Sequence, residues 1–388
     1  MQFKGVIQMN VKFDKETKKA LKAEKDKCTG CRICMKNCPM LEQYCISPKQ
    51  LLSKIDEDSM VDPIIPFSCA SCGYCTQVCP EEVNLNKVFL KLRMSIVEMN
   101  DGIPQSINNK AVKFHQKSSF SKLFTTKIMG LQDNQARRVF FPGCSLTAYS
   151  PKLVMRTYNY LRKKVPNVGI MVNCCGKPTY SMGDMNTFKK YYSTVQKTFN
   201  TSFIEEVIVA CQNCYHTISE NSPNQKVISL WEMIAEVGIP DDKVGKGCSI
   251  DAVFAIHDPC PTRKNSEIHD SVRKITQKLD LNIKEMEFSR ESTLCCGSGG
   301  MIGVTNKELA LKQMKKRVNQ TDEAYILSYC QECVESMKQG GKKSVHLLDF
   351  LFNDDMYFTK KFFQKNINTY KKWSNRYIAK VKVEKIKT

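Results

Sequence analysis

Residues 137–144 read RRVFFPGC and residues 252–260 read AVFAIHDPC. Each is a short apolar run closed by a turn and a cysteine, the pattern of a buried strand running into a loop. Each also opens a matching series. After Cys144 come VNCCG, ending at Gly176, and EEVIVACQNC, ending at Cys214; after Cys260 come TLCCG, ending at Gly297, and EAYILSYCQEC, ending at Cys333. Corresponding cysteines (144 and 260, 174 and 295, 211 and 330) stand 116, 121 and 119 positions apart. The segments beyond them match as well, VISLWEMIAEVG with SVHLLDFLFND. A period of about 120 residues is a domain-sized duplication, not a solenoid unit.

Within each half, strand-like runs (VFF, GIMV, VIVA; VFAI, AYIL) alternate with segments of helical spacing such as PKLVMRTYNYLRKK and SEIHDSVRKITQKLD. That alternation predicts two α/β units with largely parallel sheets. The cysteines mostly follow the strand-like runs, and open α/β sheets gather ligands outside the carboxyl ends of their strands. Each half can therefore bring cysteines from separate loops to one site.

Upstream, Cys28, Cys31, Cys34 and Cys38 precede Pro39, and Cys69, Cys72, Cys75 and Cys79 precede Pro80. Both sets have the C-x2-C-x2-C-x3-C-P spacing of bacterial ferredoxins, in which three close cysteines wrap one cubane [4Fe-4S] cluster and the fourth ligates the other. The expected ligand sets are Cys28, Cys31, Cys34 and Cys79 for one cubane, and Cys69, Cys72, Cys75 and Cys38 for the second. Zinc also uses CxxC pairs, but two complete patterns with trailing prolines argue against it. The long gap between the motifs, LEQYCISPKQLLSKIDED, has helical character, and Cys45 within it reads as a buried apolar thiol.

The expected fold is α+β and multidomain: a helical dicluster ferredoxin domain followed by two duplicated α/β CCG modules. Residues 1–27 form a charged lead-in, 28–99 the ferredoxin domain, 100–138 a connector, 139–247 and 248–358 the two modules, and 359–388 a basic tail. Twenty cysteines among 388 residues would mean disulfides in a secreted chain or metal ligation in a reducing one. The N-terminal stretch lacks the apolar segment of a signal peptide, and the cysteines are tightly clustered. A reducing cytoplasm is the expected compartment. No apolar run approaches the roughly 20 residues that span a bilayer. The formal charge of +20 counts every cysteine as neutral; iron-bound cysteines are thiolates, so part of the lysine excess balances them. No nucleic-acid motif accompanies that charge, and no nucleic acid is expected.

Five thiols in the order C…CCG…CxxC exceed what tetrahedral zinc takes, and Gly176 and Gly297 suit a tight turn with close backbone approach. At these residues the sequence resembles the CCG-domain family. Its layout is similar, over about residues 20–355, to the heterodisulfide reductase component in which a dicluster ferredoxin part is fused to two CCG modules. The resemblance implies a noncubane [4Fe-4S] cluster on Cys144, Cys174, Cys175, Cys211 and Cys214, and a second on Cys260, Cys295, Cys296, Cys330 and Cys333. Related chains are iron–sulfur subunits of anaerobic glycerol-3-phosphate, glycolate and lactate dehydrogenases, some with an incomplete motif; here both are complete.

The function expected is that of an oxidoreductase component passing electrons through two cubanes to paired noncubane clusters, where a disulfide is reduced. The alternative is a non-catalytic wire from a flavin dehydrogenase to quinone or another acceptor. No GxGxxG opens a βαβ unit, and CCGSGGMIG lacks that spacing, so FAD or NAD would belong to a partner. The expected donor is a flavin- or ferredoxin-type protein, and the acceptor a disulfide or a quinone. His257, in HDPC, reads either as proton donor to a leaving thiolate or as a structural residue. From Met356 the tail carries ten Lys/Arg against one acidic residue, with aromatics interleaved. It reads as a solvated helix packing a few aromatics, or as a docking element for an acidic partner or an anionic membrane surface, peripheral at the inner face. Cys248, in KGCSID, matches no motif.

Overall fold

The computed structural model describes residues 9–10, 12–128, 138–358, 362–364 and 366–386. Arg137 of the first strand-like stretch and parts of the lead-in and tail lie outside them.

Among the described residues the strands are β1 (Met9–Asn10), β2 (Met60–Val61), β3 (Thr126–Ile128), β4 (Arg138–Phe141), β5 (Val168–Val172), β6 (Glu206–Val209), β7 (Lys226–Ser229), β8 (Phe254–His257), β9 (Ile283–Glu285), β10 (Tyr325–Ser328) and β11 (Lys343–His346). β1 and β2 form a small antiparallel pair. The first module's sheet has the order β3-β5-β4-β6-β7, parallel except for β3. The second has β9-β8-β10-β11, all parallel. Leaving β3 aside, both sheets place their second strand first, then their first, third and fourth. The duplication legible in the cysteines is thus a duplication of topology, and the fold has the expected class.

Period-two alternation decides which way each strand faces. Phe140, Ile170 and Ile208 of the first sheet pack in one core with Phe254, Ile256, Leu327 and Val345 of the second. Val139, Phe141, Val207 and Val209 turn to the other face, onto Phe188, Tyr192, Val195 and Phe199 of helix Met185–Thr201. The modules therefore share a central apolar layer. The helix after the last strand of each packs on the helix after the first strand of the other: Leu230–Val237 on Ser266–Lys278, and Leu347–Phe352 on Pro151–Lys164. This reciprocal pairing makes the two modules a pseudo-two-fold dimer in one chain.

The dicluster domain has its own core, with Leu52, Phe67, Phe89, Leu92 and Ile96 fully or almost fully buried. Helix Lys15–Lys27 belongs to it, since Leu21 is fully buried and the helix packs on Leu85–Met99. The lead-in is therefore more than a solvated segment. The connector likewise holds helix Lys110–Ser119 and β3, which pairs antiparallel with β5 at the edge of the first sheet. The tail forms helix Thr369–Glu384, laid on the first module with Asn375 donating to the carbonyls of Ala148 and Tyr149.

Candidate metal centres

The order shared by both sheets puts the chain reversal between the first and third strands. Cys144 and Cys211 follow β4 and β6; Cys260 and Cys330 follow β8 and β10. Cys174 and Cys175 follow β5, while Cys295 and Cys296 sit in the loop beyond β9. Strand ends thus deliver five thiols per module to one place, as the open-sheet rule requires. In the first module Cys144 Sγ lies 3.7 Å from Cys174 Sγ. Contact continues from Cys174 to Cys175, to Cys214 and to Cys211. In the second, Cys296 and Cys333 are 3.4 Å apart, Cys330 touches Cys333, and Cys295 joins Cys296 to Cys260. Both members of each adjacent pair take part, so neither is a spare thiol.

The two sets meet. Cys211 reaches Cys330 across the module boundary, and these are corresponding residues, so the contact lies at the pseudo-two-fold axis. All twenty cysteines are unbridged thiols. Buried sulfurs that crowd one another without disulfides are the donor set a soft metal cluster takes, and the residues fit an iron–sulfur group.

Gly176 (φ +78°) and Gly297 (φ +90°) occupy the left-handed region, and a Cβ at Gly297 would stand 2.8 Å from the Ala310 carbonyl oxygen. That conformation turns the Gly176 N–H toward Cys174 Sγ (3.4 Å) and the Gly297 N–H toward Cys295 Sγ (3.3 Å). A backbone N–H aimed at sulfur favours the thiolate.

In the dicluster domain one hollow is lined by Cys28, Cys31, Cys34, Cys79 and Cys75. A second is lined by Cys38, Cys69, Cys72 and Cys75, with Cys295 of the second module on its far wall. The fourth cysteine of each motif stands with the other motif's three. Cys45 donates to the Leu41 carbonyl at 3.2 Å, and burial pushes its thiol up to about 12. Cys248 is exposed.

Each module also has an imidazole at its sulfurs, from positions that do not correspond. Fully buried His257 lies against Cys296 and Cys333, and its Nδ1 accepts from Arg317 Nε at 3.0 Å. Burial and the Arg317 charge lower its pKa. It is thus neutral at pH 7, and its proton sits on Nε2, toward Cys296. That geometry suits a fixed hydrogen-bond donor to sulfur better than a store for a transferable proton. In the first module His115 lies with Cys144 and Cys174, its Nε2 3.6 Å from Cys174 Sγ. Arg376 Nη1 of the C-terminal helix stands 3.5 Å from His115 Nδ1, and Trp373 stacks under the Arg376 guanidinium at 4.4 Å. Sequence reasoning missed His115 because nothing in KFHQK is spaced toward a cysteine.

The dicluster domain docks where the second module's sulfurs begin. Cys72 is in side-chain contact with Cys295. Gly300, just beyond the CCG turn, lies so close to the Cys69 carbonyl that a Cβ there would meet its oxygen at 2.2 Å. Buried Arg93 donates to the carbonyls of Pro66 (2.8 Å), Cys69 (2.6 Å), Gly300 (2.9 Å) and Ser181. One guanidinium thus joins all three units.

Two domain families match the chain: the 4Fe-4S dicluster domain over residues 20–108, and the cysteine-rich domain CCG over 138–219 and 254–338. The chain belongs to the CCG-domain iron–sulfur proteins. Among its relatives is an iron–sulfur protein of Methanococcus maripaludis, 24% identical over 79% of this chain and 66% of that one, a little under two thirds of its length. Another is a component of the dihydromethanophenazine:CoB–CoM heterodisulfide reductase of Methanosarcina mazei, 23% identical over 82% of this chain and 89% of that one. The EtfAB:quinone oxidoreductase of Syntrophomonas wolfei is 19% identical over 71% of this chain and 43% of its own length. The chain is thus an iron–sulfur oxidoreductase component of the kind that works with redox partners.

Proposed function

We propose that the chain takes electrons from a flavin- or ferredoxin-type donor at its dicluster domain and reduces a disulfide at the paired CCG sites. Cys28, Cys31, Cys34 and Cys79 would hold one cubane cluster, Cys38, Cys69, Cys72 and Cys75 the other, and the two sets of five the noncubane pair. Such clusters supply one-electron storage and a soft metal surface for sulfur. The observation that carries the reading is the unbroken sulfur path. It runs from Cys72 to Cys295, through the second module to Cys330, and from Cys211 through the first. Disulfide cleavage needs two electrons and two places for the thiolates formed, and the pseudo-two-fold offers two equivalent sulfur sets side by side. The surrounding residues keep the sites dry: seven of the ten thiols are buried. His257 and the Gly176 and Gly297 amides donate toward ligand sulfurs.

Low-temperature EPR of the anaerobically purified chain, with and without an added thiol or disulfide, tests this. The reading requires a thiol-dependent paramagnetic signal distinct from the cubanes. Clusters indifferent to thiols would instead support the second reading, a non-catalytic wire to quinone, which the alignment with a quinone oxidoreductase favours.

Peripheral membrane docking belongs to either reading. Residues 102–132 and 359–383 contain no acidic residue, and the structure joins them through Trp373, which packs on Phe114 and Phe124. Exposed Phe114, Leu123, Tyr370 and Tyr377 stand among Lys110, Lys113, Lys117 and Lys371 there. Aromatic side chains set among lysines suit an anionic bilayer surface. Pelleting with anionic but not neutral liposomes, lost on truncation at Met356, is the expected result.

A further inference from the structure

Three arginines lie buried in the interior with no carboxylate to answer them. Arg93 and Arg317 are fully buried, and Arg263 is 7% exposed. Arg93 is held by four carbonyls. Arg263 donates to the carbonyls of Glu291, Thr293 (2.7 Å) and Cys72 (3.5 Å), and lies over the Tyr74 ring. Arg317 donates to His257, to the Gln320 side chain (2.7 Å) and to Thr293 Oγ1 (3.3 Å). Asp258, the carboxylate whose field reaches Arg317, is already clamped by Arg273. Burial lowers Arg93 and Arg317 only to about 10, so both stay charged at neutral pH. An unanswered charge in a dry interior costs several kcal/mol.

The anions these charges face are sulfurs. Arg93 feels Cys69; Arg317 feels Cys296, Cys333 and Cys295; and Arg263 acts on Cys72. All three therefore ring the junction between the Cys38/69/72/75 set and the second module's set. The sets at either end have weaker neighbours: exposed Arg32 beside Cys31, and half-buried Arg376 behind His115. Water and salt screen charges there far more than in the interior.

We propose that Arg93, Arg263 and Arg317 are the counter-charges of the two inner iron–sulfur sites and raise the reduction potentials of these sites above those of the outer pair. A fixed positive charge stabilises the more negative, reduced state, and net charge and hydrogen bonding to sulfur are the levers a protein has on such potentials. Electrons entering at the outer cubane set would collect at the junction, poised beside the paired CCG sites. The inference rests on the cysteines being cluster ligands and not on disulfide reduction.

The test is an EPR-monitored redox titration of the full-length chain without substrate, alongside iron analysis. In Arg317→Gln one midpoint potential should fall by at least 59 mV, a tenfold change in the reduced-to-oxidised ratio of a one-electron centre, and Arg317→Lys should restore most of it. Arg263→Gln should act the same way, whereas Arg376→Gln should leave the inner pair unchanged. Midpoint potentials that do not move in iron-replete Arg317→Gln and Arg263→Gln would overturn the proposal. Should the Gln variants fail to load iron, loading by the Lys variants sustains the charge argument, and its failure there overturns it by showing that only shape matters. A chain inert toward disulfides would still yield these potentials, so the two readings fail separately.

Discussion

Cys72 of the dicluster domain and Cys295 of the second module are in side-chain contact, although 223 positions separate them. The contact makes the chain directional, because the first module reaches the dicluster sulfurs only through the second. Cys295→Ser should therefore do more than remove one ligand. With about sixteen iron atoms expected when four clusters are loaded, it should lower iron content by about four and slow dithionite-driven reduction of the first module's centre. Cys144→Ser, at the far end, should lower iron equally yet leave reduction of the other centres unchanged.

The docking of the dicluster domain depends on a glycine. Gly300 has φ +58°, and a Cβ on it would collide with the Cys69 carbonyl. Gly300→Ala should destabilise that interface by about 3 kcal/mol, combining left-handed strain with overpacking. The expected readout is earlier proteolytic release of the N-terminal domain, with the two modules' unfolding transition little changed.

Cluster loading should depend on pH in a definite direction. Burial pushes the Cys34 thiol up to about 11 and the Cys45 thiol up to about 12, so the metal-free site holds neutral thiols at pH 7. Metal must displace their protons, and loading therefore strengthens as pH rises. Anaerobic reconstitution at pH 8.5 should outrun that at pH 6.5. Cys45→Ser should not alter the difference, since Cys45 donates to a carbonyl and is not among the proposed ligands.

Asp258 anchors the loop that carries Cys260. Its carboxylate receives Arg273, the Arg290 amide (2.7 Å) and the Tyr329 hydroxyl (2.8 Å), and these hold it down at about 2 although it is fully buried. Asp258→Asn should cost about 3 kcal/mol by leaving Arg273 short of a partner, measured as a lower denaturant midpoint. The same shift ties stability to pH. A carboxylate whose folded pKa is depressed contributes fully above its unfolded value near 4, and loses that contribution as pH falls from about 4 to about 2. The variant should lack this part of the acid transition.

Removing the C-terminal helix should open the first module. Arg376 and Trp373 back His115, which stands against Cys174. A chain truncated at Met356 should show faster alkylation of Cys144 in its metal-free form, while Cys260 in the second module reacts at its former rate.

Much of this architecture follows from the sequence because its signals are local. A ferredoxin-type motif completes itself within eleven residues, strand faces alternate every second residue, and a duplicated domain repeats its cysteines in register. What tertiary structure alone decided are meetings between distant segments. Cys72 reaches Cys295, Cys211 reaches Cys330 on the internal axis, and His115 arrives at Cys174 from a segment that reads as a connector. No periodicity records those approaches, since they arise from packing one apolar sheet face on another and from docking a third unit across the seam. The same holds for Arg93, Arg263 and Arg317. In the sequence they are three basic residues among 59; only burial without carboxylates reveals what they face.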